Sequence, residues 1–144
     1  MRVSPSRTAV RCLAVVVAAC AASIRPAAAQ APDSRPVAGR WAGTYTCAQG
    51  QTGVTLTLSA EIMGQVEGLF EFYAVASNPS VPSGRYRMRG WYTVDGLLGL
   101  VGTEWIHKPG DYVMVGVLAR LAGGGRLLTG TIPECEGAFA AERR

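Results

Sequence analysis

The chain has little of the residue chemistry on which enzymes and metal sites depend. It contains a single histidine, His107, and no C-x-x-C pair among its four cysteines. A Ser-His-Asp or Cys-His arrangement would have to use that histidine, and a tetrahedral metal site would have too few ligands. Asp95 and Asp111 lie beside turn glycines, without a second carboxylate at a spacing typical of paired acid and base chemistry. We therefore expect no catalysis, no metal and no cofactor.

The N-terminal segment has the pattern of an export signal. Arg2, Arg7 and Arg11 form a positive region, and the apolar run over 13–22 that follows is too short to span a bilayer. The run Ala27-Ala28-Ala29 is similar to an A-x-A cleavage site. We assign residues 1–29 to a signal peptide and expect an exported protein, periplasmic or secreted, without a transmembrane helix in its mature part.

A second interpretation of the same segment stays open. The run Val17-Ala18-Ala19-Cys20 resembles the lipobox at which bacterial lipoproteins are cut and acylated. In that case the protein carries a lipid anchor at Cys20, and residues 21–37 form a tether at the surface of the membrane.

Positive charge is concentrated in this leader. The formal net charge of +4 comes from 14 Lys and Arg against 10 Asp and Glu, and four arginines precede residue 30. Ten residues of each sign remain from residue 30 onward. The mature part is therefore near neutral and lacks the basic face that nucleic-acid binding requires.

Two cysteines remain in the mature part, because Cys12 and Cys20 fall within the leader. In an oxidising compartment, Cys47 and Cys135 are expected to form a disulfide. Closing so long a loop stabilises a fold by about 4 to 5 kcal/mol in the chain-entropy model.

Apolar and polar residues alternate through most of the mature part. The alternation is strict over residues 54–62 and recurs over 67–74 and 85–92, which is typical of strands with one buried face. Turn signals such as Asp95-Gly96 and Pro109-Gly110 separate about eight such segments. We predict an all-β fold over residues 38–144, an antiparallel up-and-down barrel or a closely related closed sheet, after a disordered lead-in at 30–37. Glycines expected to allow the bends of a small barrel lie at Gly43, Gly68, Gly90, Gly99, Gly116 and Gly130.

The alternation also assigns side chains to the two faces of the barrel. The aromatic residues expected in its interior are Trp41, Tyr45, Phe70, Phe72, Tyr86, Tyr92 and Tyr112. An eight-stranded interior is either filled by such side chains or holds one small ligand, and both alternatives stay open.

An outward row of Arg85, Arg87, Arg89 and Trp91 is the most unusual local chemistry. One interpretation pairs these arginines with glutamates of the preceding strand, Glu67 and Glu71, in exposed ion pairs. The other makes the row a contact for an anion or a partner protein, since Trp and Arg are enriched in binding hot spots.

Gly39-Arg40-Trp41 at the head of the first strand resembles the G-x-W motif of lipocalins and their calycin relatives. The resemblance implies that Trp41 closes one end of the barrel and packs on an arginine of the last strand, here Arg143. The chain lacks the later lipocalin motifs.

A second resemblance covers more of the chain. Tyr45-x-Cys47, Ser83-Gly84-x-Tyr86, Trp105 with Lys108, and Cys135 occur in the order of the landmarks of membrane-bound c-type lysozyme inhibitors. The spacing around Trp105 and after Ser83-Gly84 departs from that family. The resemblance implies that Ser83 and Lys108 enter the lysozyme cleft, with His107 in the same loop.

Together these patterns predict an exported, non-catalytic barrel that binds an apolar small molecule or an extracellular or periplasmic protein. The alternative is a periplasmic or surface inhibitor of a secreted hydrolase such as lysozyme. A small hydrolase is the least favoured interpretation.

Overall fold

The computed structural model describes residues 29–144. Its strands are β1 (Gly39–Cys47), β2 (Gly50–Ala60), β3 (Gln65–Tyr73), β4 (Gly84–Tyr92), β5 (Leu97–His107), β6 (Val117–Ala122), β7 (Leu127–Ile132) and β8 (Gly137–Arg143). Each strand pairs antiparallel with the next, and β8 pairs with β1 to close the barrel. Short 3-10 helices lie at Arg35–Val37 and Ile62–Gly64. The predicted all-β class, with an up-and-down barrel of eight strands and one disulfide, is confirmed.

The predicted signal peptide, apart from Ala29, and the alternative lipid anchor at Cys20 lie outside the described residues. Within residues 29–144, no helix has the length and hydropathy needed to cross a membrane.

Strand β4 shows how the alternation produces the barrel wall. Its buried residues Tyr86 and Met88 point inward, while Arg85, Arg87 and Arg89 between them are exposed. Because successive strand side chains point to opposite faces, each apolar residue on the inner face adds to a single core. That core continues through the buried side chains of all eight strands.

Four strand glycines, among them Gly137 beside the carbonyl oxygen of Thr46, lie where neighbouring backbone leaves no room for a side chain. A Cβ at Gly43 would overlap the carbonyl oxygen of Ala140, and a Cβ at Gly90 would overlap that of Gly99. Gly130 meets the carbonyl oxygen of Leu118 in the same way. These glycines therefore permit the close approach of adjacent strands in a small, strongly curved barrel.

One end of the barrel, here called the closed end, is sealed by Trp41. The indole Nε1 donates a hydrogen bond of 2.9 Å to the carbonyl oxygen of Val37, and both side chains are fully buried. The Arg143 guanidinium lies 4.2 Å from the centroid of the Trp41 ring and donates to the Ala38 carbonyl oxygen. The packing of Trp41 on an arginine of the last strand is thus present.

Residues 34–37, the last part of the lead-in expected to be disordered over 30–37, contact the closed end of the barrel. Ser34 is buried and its Oγ donates to the carbonyl oxygen of Glu61 at 3.1 Å. The 3-10 helix Arg35–Val37 then carries Val37 into the core. The polar, proline-containing composition suggested disorder, whereas these contacts with the barrel end order the segment.

The disulfide joins Cys47, at the end of β1, to Cys135, with their Cα atoms 5.5 Å apart. The predicted disulfide is confirmed. Cys135 belongs to the turn before β8, which begins at Gly137. Both cysteines are half-buried and lie opposite the closed end, at what we call the disulfide end.

Candidate functional site

The centre of the barrel is filled by aromatic side chains. Trp41, Tyr45, Phe70, Phe72 and Tyr86 are all buried, as expected from the alternation. The Phe70 and Tyr86 rings stack with centroids 4.9 Å apart, and Tyr45 meets Phe70 edge-on at 5.5 Å. Tyr92 and Tyr112 are only half-buried, Tyr92 at the closed end and Tyr112 in the loop after β5. Space for a ligand therefore lies beyond these rings.

Such a space exists at the disulfide end, where the aromatic column ends. This rim cavity has a volume of about 370 Å³, within the range of small-molecule sites. Its lining includes Tyr45, Phe72, Tyr86, Tyr112, Val113, Val115, Gln49, Asp111, Glu134 and the half-cystines Cys47 and Cys135.

The wall of the rim cavity is completed by the connection of residues 108–116, here called the β5–β6 loop. Strand β6 pairs with residues 97–100 of β5, and the β5–β6 loop lies beside the second half of that strand. A Cβ at Gly102 would lie 2.6 Å from Met114 Cβ, so the loop packs directly on β5. The rim cavity is thus formed where the β5–β6 loop, and not strand β6, lies beside the second half of β5.

Three contacts fix the β5–β6 loop over the barrel mouth. The Tyr86 hydroxyl donates to the Val115 carbonyl oxygen at 2.9 Å and accepts from the Val115 N–H at 3.2 Å. The Gly116 N–H donates to the Glu134 carboxylate, with both oxygens at 2.9 Å. The Tyr112 ring stacks on Phe72 with centroids 5.5 Å apart. The rim cavity is therefore preformed, which lowers the entropic cost of binding.

Gln49 and Tyr45 supply neutral polar groups to the lining of the rim cavity. The Gln49 amide donates to the Tyr45 hydroxyl at 3.2 Å and to Thr52 Oγ1 at 3.3 Å. Burial raises the pKa of Tyr45 to about 12, so this hydroxyl keeps its proton at physiological pH.

A second space, the side cavity, opens on the outer wall at the disulfide end. It has a volume of about 490 Å³ and brings together Ser83, Arg85 and His107, together with Glu71. The Arg85 guanidinium lies 4.0 Å from the Glu71 carboxylate. Lys108 follows His107 and is exposed at the start of the β5–β6 loop. The structure thus brings three of the predicted partner-binding residues to one place.

Trp105, a landmark of the lysozyme-inhibitor resemblance and a candidate partner contact, lies at the margin of the core. Its ring meets Tyr86 at a centroid distance of 5.0 Å and Phe72 at 6.3 Å, and it is half-buried. The cause is an irregularity in the pairing of β4 with β5, where Met88 pairs with Gly102 but Arg87 pairs with Glu104. The extra residue, Thr103, shifts the alternation by one and turns Trp105 inward.

The outward arginine row is a ladder of ion pairs. Arg89 lies 3.6 Å from Glu67, and with the Arg85–Glu71 pair this confirms the pairing expected with β3. Arg87 pairs at 3.4 Å with Glu104 of β5, because Leu69 occupies the position opposite it on β3. These exposed pairs each contribute about 0 to 1 kcal/mol. Each of the three guanidinium groups has a carboxylate beside it. Trp91 at the end of the row is 53% exposed. The role of the row in partner binding stays a prediction.

Sequence analysis missed three polar residues of the rim cavity: Gln49, Asp111 and Glu134. A signal for two of them was present, since Gln49 lies two residues after Cys47 and Glu134 directly precedes Cys135. A predicted disulfide places the neighbours of both cysteines in one region. Asp111 was assigned to turn chemistry alone.

Among residues 29–144, no group of three or more His, Cys, Asp or Glu side chains is arranged to hold a metal ion. The fold and its cavities define a closed, disulfide-linked, eight-stranded up-and-down barrel with a preformed aromatic cavity at one end. In comparisons with protein-family models, curated proteins and solved structures, none matches the chain.

Proposed function

We propose that the protein is an exported, non-catalytic binding barrel whose ligand site is the rim cavity. The observation that carries this proposal is a preformed pocket with several aromatic side chains and few polar groups, which is the usual composition of a small-molecule site. The disulfide supports export, because such bonds persist in oxidising compartments.

The proposal includes the expectation that the protein is not an enzyme, which rests on the single histidine of the sequence. Ser83, His107 and Glu71 line the side cavity and not the rim cavity.

Binding is tested with the neutral fluorescent probe N-phenyl-1-naphthylamine. We expect saturable enhancement of its emission by the disulfide-bonded protein, and about a tenfold loss of affinity in Tyr112→Ala, because that ring forms one wall of the rim cavity. Trp91→Ala, which removes an exposed aromatic ring from the outer wall, is the matched control and should leave the titration unchanged. Equal binding by Tyr112→Ala and the unchanged protein would place the probe elsewhere and remove the rim cavity from the proposal.

A second candidate function is inhibition of a secreted hydrolase such as lysozyme. The observation that favours it is the proximity of two loops at the disulfide end: Ser83 and His107 line the side cavity, and a Cβ at Gly84 would lie 2.8 Å from Pro109. Lys108, which is exposed, lies between His107 and Pro109 in the chain. A pair of adjacent loops with a hydroxyl and an ammonium group is chemically suited to the acidic cleft of a glycosidase.

The inhibitor proposal is tested in a cell-lysis assay with a c-type lysozyme. We expect the purified protein to inhibit lysis. The double variant Ser83→Ala, Lys108→Ala should weaken inhibition at least about tenfold, because each of the two substitutions removes a hydrogen-bond donor from the contact. Arg126→Ala, which is exposed at the closed end, serves as control. Undiminished lysis in a large excess of the unchanged protein would eliminate this candidate and leave the small-molecule site unaffected.

A further inference from the structure

The rim cavity has a one-sided electrostatic character. Among the described residues that line it, Asp111 and Glu134 are acidic and none is lysine, arginine or histidine. The exposed arginines of β4 are each beside a carboxylate on the outer wall. A ligand in the rim cavity therefore meets negative charge, and a positively charged ligand is favoured over a neutral or anionic one of the same shape.

The geometry of Glu134 suits it to face a bound cation. Its carboxylate is positioned by the Gly116 N–H, which is 2.9 Å from both oxygens. A carboxylate has about four acceptor positions, so a single N–H leaves most of them free for a ligand. The hydrogen bond also holds this exposed side chain at the cavity wall, which lowers the entropic cost of ordering it on binding.

The rings around this carboxylate add a second attraction for a cation. Tyr45, Phe72, Tyr86 and Tyr112 share the cavity, and Glu134 is near enough to Tyr86 to help raise the pKa of its hydroxyl, although burial is the larger cause. The faces of aromatic rings attract cations, most strongly where water is excluded. Val113 and Val115 supply apolar contact for an alkylated body.

We propose that the rim cavity binds a small organic cation of the alkylated or quaternary ammonium class. The charged nitrogen lies between the tyrosine rings and Glu134, and the apolar substituents contact the valines. This inference rests on the proposed small-molecule site and adds the chemical class of its ligand. The aromatic walls favour an organic cation over a metal ion, which prefers several oxygen ligands. The part of the chain that the structure describes has no group of three or more His, Cys, Asp or Glu placed to hold a metal.

Calorimetric titration with choline and with its uncharged isostere, 3,3-dimethylbutan-1-ol, tests the proposal on protein purified from cells expressing the full chain. We expect choline to bind at least about tenfold more tightly than the isostere. Glu134→Gln should reduce choline affinity about tenfold and leave the isostere unchanged, because the glutamine oxygen can still accept the Gly116 N–H. Asp111→Asn should act in the same direction, and Glu104→Gln, on the outer wall, should change neither titration.

The outcomes separate this inference from the function on which it rests. Equal or tighter binding of the isostere, or an unchanged choline affinity in Glu134→Gln, would overturn the cation class while the small-molecule site stands. Binding of magnesium or calcium in place of choline, lost in Glu134→Gln, would likewise overturn it. Failure of choline, its isostere and the neutral naphthylamine probe together would overturn both proposals.

Discussion

Simultaneous replacement of Cys47 and Cys135 by serine is expected to lower the free energy of unfolding by about 4 to 5 kcal/mol. The cross-linked residues are 88 positions apart, so the bond removes a large loop-closure entropy from the unfolded chain. A domain of this size has a total stability of roughly 5 to 15 kcal/mol, and the loss is therefore a large fraction of it. Urea titration followed by tryptophan fluorescence measures the change.

The unchanged protein treated with dithiothreitol is the control for the serine side chains themselves. Its midpoint should coincide with that of the double variant, because both lack the same covalent bond. A loss smaller than about 1 kcal/mol in both would mean that the unfolded chain holds its ends together without the disulfide. That result would contradict the entropic account.

Replacement of Gly90 by alanine is expected to destabilise the barrel by about 3 kcal/mol, at the upper end of the usual cost of overpacking. The added Cβ would overlap the carbonyl oxygen of Gly99 and lie 2.9 Å from Leu100 Cα, and both atoms belong to the backbone of β5. Backbone cannot rotate away as a flexible side chain can, so the strands must separate. Thermal unfolding and urea titration both measure this effect.

Gly99→Ala is a closely matched control, because Gly99 lies on the strand that Gly90 contacts. A Cβ at Gly99 would have Leu118 Cδ1 at 3.9 Å as its nearest neighbour, which is ordinary contact. We expect a change within about 0.5 kcal/mol, because the added methyl group meets only ordinary van der Waals contact. Equal losses of unfolding free energy in the two variants would show that the loss of a glycine as such, and not the close approach of β4 to β5, determines the effect.

The barrel was predictable because its sequence obeys a period of two over long stretches. In β2 the inward residues Val54, Leu56 and Leu58 are all buried, and in β4 the arginines are all exposed. Local patterns of this kind determine which face of a strand is apolar, and consecutive hairpins leave few alternatives for topology.

One departure from that period is not visible in the sequence. Thr103 adds one residue to β5, so Trp105 points inward and Glu104 points outward towards Arg87. No residue type in the sequence marks such a bulge. Residues 34–37 are likewise held by two contacts that no period of two predicts. Ser34 donates to the carbonyl oxygen of Glu61, and Val37 accepts from the Trp41 indole.

The candidate site was predictable only in its apolar half. Tyr45, Phe72 and Tyr86 follow from strand alternation, and Tyr112 was identified as an interior aromatic residue. The polar half comes from turns and from the β5–β6 loop, where no periodicity fixes direction. Glu134 acquires its position through Gly116, a long-range contact that only the folded chain creates.

The topology also has a consequence for how the chain reaches this fold. Seven of the strand pairs join neighbours along the sequence, whereas the pairing of β1 with β8 joins the two ends. A hairpin between neighbouring strands closes a short loop and loses little entropy. The pairing of β1 with β8, here called the seam, closes the longest loop and therefore has the largest loop-closure entropy. The Cys47–Cys135 bond lies at one end of that seam, so an oxidised chain starts refolding with its slowest long-range encounter already made.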